Sequence, residues 1–521
     1  MENGSKSIYD AIPKNSFPLI STPLKKVETA TGSKLKIVQV NNSIFSQTVA
    51  VLQQREISLK KMFAHEFNHF PPSLSNSGEM NYPSNKASLI HEILTDCHNA
   101  PDEPSEFDPT SAVLIDGGRL LHQFPPRPLM TFRQYAEMLS KGPISLYLQH
   151  HQRMDIVFDT YIDGSLNAAT RQGRGKGLRR RVAAETKCPA KWSQFLKDTR
   201  NKKELNIFLA QQLTTYSYPE GRQFFATCEE KVLSNTSFTM ADSDQEGADT
   251  RLMLHAKHCL SEGLNRIKIL IDDTDVIVIA LGIFHKLQSS YHFDDIVIEF
   301  GINKNHRSVS LKALANSLGP SRCLAIPLLH TLSGSESTSA LKGIGKKKAY
   351  EALKAYKESE AILGDYFSNA FKTLNEGDSA FKTIQRLVIL MYARTSILES
   401  IDDLRMELYF QRSQNIELIP PTSNALYLHT LRCIYQAGVW SLCLLPFQNR
   451  PSPCEYGWHK TNHTSMYQPV WITKGEAIKE CREFVKCSCK SEICTRCKCK
   501  NAILRCTLLC SCKCDDRVSF D

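Results

Sequence analysis

The chain has 521 residues, of which 42% are hydrophobic and 23% charged, and a net charge of +10. That length allows about two to four domains, and the composition allows a sizeable buried core. No run of about 18 apolar residues is present, which excludes a helical membrane span. Met1–Ile20 is polar, so no secretory signal is expected and the 18 cysteines are read as reduced or metal-bound.

Residues 1–110 are weakly patterned. Val49–Phe63 predicts one or two helices, and 71–110, rich in Pro, Ser and Asn, reads as a linker with one short helix over Ala87–Thr95. Order begins at Ala112. Apolar runs of strand length follow at Ala112–Ile115, Ile156–Phe158, Ile267–Ile271, Val276–Leu281, Ile296–Ile298 and Cys323–Leu329. Helical stretches such as Phe132–Ser140 and Lys202–Gln212 separate several of them. This alternation predicts an α/β domain with a mainly parallel sheet flanked by helices. From about Ala340 to Leu445 the pattern is helical, most clearly over Phe381–Tyr392 and Asn424–Leu442. A Pro-rich passage, Pro446–Pro453, then leads toward a cysteine-rich end.

Several predicted strands run into a carboxylate: Ala112–Ile115 into Asp116, Ile156–Phe158 into Asp159, and Ile267–Ile271 into Asp272, Asp273 and Asp275. In open α/β sheets ligands bind at the carboxyl ends of the strands, so these acids are expected to converge on one edge. Glu246 and Asp249, three apart in DQEGADTRLMLHA, share a helix face, with Asp244 just upstream. Glu336 follows in SGSESTSALKGIGKKKA. Clustered acids raise one another's pKa unless cations neutralise them, and hard divalent ions prefer such oxygen ligands. Two ions about 4 Å apart suit phosphodiester hydrolysis. Taken singly, each acid also reads as a helix cap or turn former.

The glycine turn Gly343-Ile344-Gly345, followed by Lys346, Lys347 and Lys348, precedes a predicted helix over Tyr350–Lys357. Free N–H groups at a helix start, beside lysines, suit a phosphate backbone; an ordinary helix start with solvated lysines fits equally. The run 171–181, RQGRGKGLRRR, holds six cations including Arg179, Arg180 and Arg181. It reads as a solvated loop, a phosphate-contacting arm or a nuclear import signal.

The order Asp, Asp, Glu-x-x-Asp, Asp-x-Asp, Gly-Ser-acid and Gly-Ile-Gly-x-Lys-x-Ala resembles the flap-endonuclease and 5′-exonuclease superfamily, whose core is PIN-like. The phrases IDDTDVIVIAL, QEGADTRLMLHA and GSESTSALKGIGKKKA are similar to those of a group of transposon-associated animal proteins with a cysteine-rich tail. The likeness spans roughly residues 110–515. It implies Asp116, Asp159, Glu246, Asp273, Asp275 and Glu336 as ligands of two Mg²⁺ or Mn²⁺ ions, with Asp249 a ligand or a supporting partner. It also implies that the glycine turn belongs to a helix–two-turn–helix on duplex DNA. Two departures stand out. Glu336 replaces the usual Asp, and Gly247 and Ala248 separate acids that are normally closer. Mg²⁺ demands near-ideal octahedral geometry, so a catalytically degenerate nucleic-acid-binding protein is the alternative to a structure-specific nuclease.

Cys487, Cys489, Cys494, Cys497, Cys499, Cys506, Cys510, Cys512 and Cys514 lie within 28 residues. So dense a set with so few apolar neighbours cannot form a core, so something else must hold it. Six terminal and three bridging thiolates would fill the tetrahedral positions of about three Zn²⁺ ions. The odd count argues against a disulfide framework. The spacing resembles the CXC domains of tesmin-like and chromatin proteins, which implies DNA contact.

The expected organisation is a weakly ordered or helical N-terminal region and linker (1–110), a PIN-like nuclease domain (111–370), a helical extension (371–480) and the zinc cluster (487–514). The expected partner is nucleic acid, DNA ahead of RNA, with no membrane, in the nucleus or alternatively the cytoplasm.

Overall fold

A computed structural model describes residues 59–94, 107–162, 164–166, 168, 177–237, 239–301, 306–411, 417–461, 466–476, 487–490, 492, 497–501, 505–506 and 510–513. The chain divides into Lys60–Ala477 and a second unit comprising Met1–Leu59 and Ile478–Asp521, of which chiefly the cysteine-rich segment is described. Among the described residues no helix is long and apolar enough to cross a membrane.

The larger unit is built on a seven-stranded sheet. Its strands are β1 (Asp108–Asp116), β2 (His151–Val157), β3 (Gln223–Cys228), β4 (Lys231–Ser234), β5 (Arg266–Ile271), β6 (Asp295–Phe300) and β7 (Arg307–Ser310). Their spatial order is β4-β3-β2-β1-β5-β6-β7. The five central strands are parallel, and antiparallel β4 and β7 close the two edges. Ala112, Val113, Leu114 and Ile115 are all fully buried, as expected of a parallel strand covered on both faces. Val113 and Ile115 join Phe132, Tyr135, Phe195, Leu205 and Leu209 in one core. The opposite face carries the helix Ala248–Ser261, against which Asp275–Ser290 packs.

Two runs expected as strands are helical. Val276–Leu281 lies in Asp275–Ser290, and Cys323–Leu329 lies in Pro320–Leu332. The first begins only four residues after β5, too close for a parallel neighbour, which needs a crossover of a dozen or more residues. It forms that crossover, from β5 to β6. Val276 to Leu281 are each fully buried, and a helix that is apolar all round belongs at the centre of a fold. Its apolar run therefore carries no amphipathic period to distinguish it from a buried strand.

The remaining helices used below are numbered in chain order: α1 (Ser88–Leu94), α2 (Gly117–Gln123), α3 (Phe132–Leu139), α4 (Thr199–Leu213), α5 (Ala248–Ser261), α6 (Asp275–Ser290), α7 (Leu311–Leu318), α8 (Pro320–Leu332), α9 (Lys346–Ala355), α10 (Glu358–Ser368), α11 (Ser379–Tyr392), α12 (Ile401–Gln411) and α13 (Ser423–Ser441). Helices α8, α10 and α13 pack on one another, and α8 packs on α6, so the helical region joins the sheet domain in one unit. Residues 71–94, expected as linker, are also part of it. Leu74, Leu89 and Ile90 are fully buried. The Asn81 carbonyl accepts from Ala340 N at 2.7 Å and the Ser73 carbonyl from Lys342 N at 2.8 Å. Polar composition concealed a segment held by backbone hydrogen bonds.

Candidate active site

The parallel strands deliver their carboxyl ends to one edge, and a pocket of about 220 Å³ opens there. Asp116, Asp159, Glu246, Asp249, Asp273, Asp275 and Glu336 all line it. Every carboxylate expected to serve a metal ion is thus brought to one place, from five separate stretches of chain. Asp272 lies outside the lining and sits 3.5 Å from Arg119 Nη1. Asp244 is also apart, accepting from Gln448 N at 3.1 Å.

Local bonds fix several of these acids. Asp116 caps α2, accepting from Gly118 N at 2.8 Å. A Cβ on Gly117 would lie 2.1 Å from Phe158 Cδ1, so the first residue after this cap has room for no side chain. Asp159 Oδ1 accepts from Ala248 N at 2.9 Å, tying the end of β2 to the start of α5. Ser165 Oγ donates to Glu246 at 2.8 Å. Asp273 accepts from Asp275 N at 3.0 Å. The capping roles are therefore real for some of these residues, and they orient the carboxylates at the pocket instead of competing with a site there.

The electrostatics are those of an under-neutralised acidic cluster. Burial, then Asp159, Asp272 and Asp273, pushes Asp116 up to about 7. Burial and the Asp275 charge push Asp273 up to about 7. Asp249 is raised well above the usual carboxylate range by burial and by Asp273, Asp116, Asp275 and Asp159. Asp275 moves the other way. Burial opposes its charge, but His330, Lys86 and Lys346 outweigh that and hold it well below the usual range. His330 Nε2 lies 3.1 Å from Asp275 Oδ1. Burial and Lys346 lower that histidine to about 4, so it is neutral at physiological pH.

The donor set fits hard divalent cations. It is all oxygen, it is anionic, and Asp275 Oδ1 is buried with no aligned hydrogen-bond donor, since His330 Nε2, 3.1 Å away, is out of line for one. One cation of the chain already sits among these oxygens: Lys86 Nζ is 3.6 Å from Asp273, 3.6 Å from Asp275 and 3.5 Å from Glu336. Lys202, Ser335, Ser337, Gln436, Trp440 and Arg450 complete the wall. Ser335 and Ser337 flank Glu336 in the Gly-Ser-acid phrase; Lys86, Lys202, Gln436, Trp440 and Arg450 were not singled out in the sequence, because they stand in segments with no motif.

The glycine turn is formed as expected. Gly343 has φ +78°, and Gly345 precedes α9. Its lysines divide. Lys346 is 1% exposed and donates to the carbonyls of His330 and Gly334 and to Ser333 Oγ at the end of α8. Burial lowers it to about 7, with Asp275 opposing. The expectation that Lys346 meets nucleic acid is therefore corrected: its head satisfies orphaned carbonyls at a helix C-terminus. Lys347 is exposed and pairs with Glu92 at 3.0 Å, and Lys348 is exposed, donating to the Gly343 carbonyl. Arg179, Arg180 and Arg181 are exposed, with Arg179 bonded to Glu204 and Asn201.

In the cysteine segment, Cys494 and Cys514 lie outside the described residues. Cys487, Cys499, Cys506 and Cys510 form one group of mutually close sulfurs, and Cys487, Cys489 and Cys497 another. Neighbouring Sγ atoms lie 3.5 to 3.9 Å apart. Zn–S bonds of about 2.3 Å in a tetrahedron set an S···S edge of about 3.8 Å, whereas a disulfide needs about 2.05 Å. Cys487 belongs to both groups, the place of a bridging thiolate. The donors therefore fit zinc.

No family model and no curated protein matches the chain. Among solved structures it is similar to the D15 protein of bacteriophage T5 co-crystallised with metal ions, at 12% identity and TM-score 0.29, covering 64% of this chain and 98% of that one. It is also similar to the catalytic core of Rad2 in complex with DNA substrate, at 14% identity and TM-score 0.30, covering 64% and 95%. A third likeness is a mutant of the T5 5′-exonuclease, at 12% identity and TM-score 0.26, covering 64% and 98%. These superpositions are loose.

Proposed function

We propose that the carboxylate pocket is the catalytic centre of a divalent-metal-dependent nuclease that cuts phosphodiester bonds in structured nucleic acid, DNA ahead of RNA. The observation that carries this is the convergence of seven carboxylates on one pocket at the carboxyl edge of a parallel sheet. Asp116, Asp159, Glu246 and Asp249 would hold one Mg²⁺ or Mn²⁺, and Asp273, Asp275 and Glu336 a second. When bound, such ions neutralise charge developing on the phosphodiester and lower the pKa of the attacking water.

The chain's own residues do the rest. His330, whose Nε2 stands 3.1 Å from Asp275 Oδ1, packs against that carboxylate and limits where it can turn. Lys202 and Arg450, on the pocket wall, supply positive charge for the phosphates flanking the cut. The Gly343–Gly345 turn, with Lys347 and Lys348, and the exposed Arg179, Arg180 and Arg181 suit backbone contacts that carry no sequence information. The cysteine segment, holding about three zinc ions, serves as a DNA-targeting module in the nucleus.

A second reading, a catalytically silent nucleic-acid-binding protein, is favoured by one feature: the Lys86 ammonium already pairs with three of the carboxylates. Cleavage of labelled 5′-flap, single-stranded and duplex substrates with Mg²⁺ or Mn²⁺ separates the two. Wild type should cut. Asp273→Asn should not, while binding as tightly or more so, because one repulsive charge is gone. Equal cleavage by the variant removes Asp273 from the site. Salt-sensitive binding by the wild type without any cutting favours the silent reading.

A further inference from the structure

Lys86 stands two residues before α1. Its side chain is 24% exposed, and its ammonium faces carboxylates of two distant segments, 273–275 and Glu336. The segment bearing it is tied down on both sides of the lysine. Asn81 accepts from Ala340 N at 2.7 Å, and Glu92 pairs with Lys347 at 3.0 Å. Leu89 and Ile90 are fully buried beside it. Both ties run to the stretch that carries Glu336 and the glycine turn. The fold thus delivers this ammonium to the acids, unlike a surface lysine that meets an acid by chance and gains little.

A hard divalent ion drawing on Asp273, Asp275 and Glu336 would need their oxygens at about 2.0–2.2 Å. With the ammonium 3.5 to 3.6 Å from the same oxygens, ion and ammonium would stand within about 4 Å of each other. Two cations so close repel strongly in a shielded pocket. They exclude each other.

We propose that Lys86 is a tethered counter-cation that occupies the Asp273–Asp275–Glu336 side of the pocket and that must be displaced for a divalent ion to bind there. The protein then rests with three of its seven acids paired to one internal cation, and metal loading is coupled to withdrawal of one side chain. This inference rests on the metal-site reading above.

The test uses the full chain and Mn²⁺, with free Mn²⁺ followed by electron paramagnetic resonance. Lys86→Met, which keeps the length and removes the charge, should bind Mn²⁺ about tenfold more tightly or better, about 1.4 kcal/mol. Lys86→Arg should stay close to wild type. In the wild type, amine acylation followed by mass spectrometry should show Lys86 labelling rise when Mn²⁺ is added. Equal or weaker Mn²⁺ binding by Lys86→Met overturns the proposal, as does labelling of Lys86 that Mn²⁺ leaves unchanged. Should Lys86→Met fail to fold, the labelling of the wild type decides alone. If Mn²⁺ binds through Asp273 with Lys86 unmoved, only this inference falls. If neither wild type nor Lys86→Met binds Mn²⁺ in an Asp273-dependent way, the metal-site reading falls with it.

Discussion

Replacing Asp116 with asparagine should stabilise the metal-free protein. Asp116 is pushed up to about 7 by burial and by Asp159, Asp272 and Asp273. Raising a carboxyl from 3.8 to about 7 corresponds to about 4 kcal/mol against its charged form, an upper bound that pocket water lowers to about 2 kcal/mol. Between those values the folded protein keeps a proton that the unfolded chain has released. Stability therefore falls as pH rises from about 4 to about 7, and the full cost is present above that. Asparagine removes the charge but keeps the oxygen that accepts from Gly118 N, so the cap of α2 survives.

Thermal unfolding followed by circular dichroism checks this, in buffer free of Mg²⁺ and Mn²⁺ but without a chelator, so that zinc stays in the cysteine segment. At pH 8 Asp116→Asn should melt about 2–4 °C above wild type. At pH 5 the difference should shrink. Added Mg²⁺ or Mn²⁺ should raise the wild type more than the variant, because the ion relieves the same repulsion that the substitution removes. A variant that melts lower than wild type at pH 8, or whose advantage does not depend on pH, would refute the assignment of Asp116 to a repulsive acidic cluster.

Asp155, fully buried in β2, is held by Arg153 at 2.7 Å on both oxygens and by His255 at 2.6 Å; Arg153→Met should cost about 3–5 kcal/mol in urea unfolding by stranding that carboxylate. Burial opposes the Asp155 charge, but Arg153 and His255 win and hold it at about 2, so its contribution should persist above about pH 4 and vanish as pH falls through about 2. Lys347→Ala and Lys348→Ala should each weaken DNA binding and lower the salt slope by about one, read from titrations at several salt concentrations. Lys346→Ala should instead lower the melting temperature, since it strips the donor from the end of α8. Removing zinc should unfold residues 487–514 and leave the sheet domain folded; amide spectra of that segment unchanged by chelation would count against a metal-held module.

How much of this could be read from the sequence depends on where each signal lives. Strand β1 was legible because a parallel strand buried on both faces needs a continuous apolar run, and Ala112–Ile115 is such a run; Ile267–Ile271 in β5 shows the same run broken only by Lys268. The same logic failed at Val276–Leu281 and Cys323–Leu329. A helix enclosed on all sides erases its own period, and Gly282, whose added Cβ would lie 2.6 Å from the Phe367 ring, marks how closely α6 is packed. Spacing held the missing information: four residues separate the end of β5 from Val276, and no parallel crossover is that short.

The site divides along a similar line. Six of its seven acids were legible because each follows from a local rule, a strand end or a helix start, and the α/β architecture carries those positions to one edge; Glu336, in the loop between α8 and α9, was legible only through the family resemblance. Its cations were not. Lys86 reaches the acids only because residues 71–94 fold back on the stretch around Ala340, and Arg450 only because Asp244 and α13 bring the Pro-rich passage to the pocket wall. Conversely, Lys346 had the most suggestive neighbours of any lysine and proved to be buried, because the first turn of α9 directs one of three adjacent side chains inward. Charge in sequence indicates how many cations are at hand. Which of them line the pocket, and which one stands among its carboxylates, is decided by contacts among residues hundreds of positions apart.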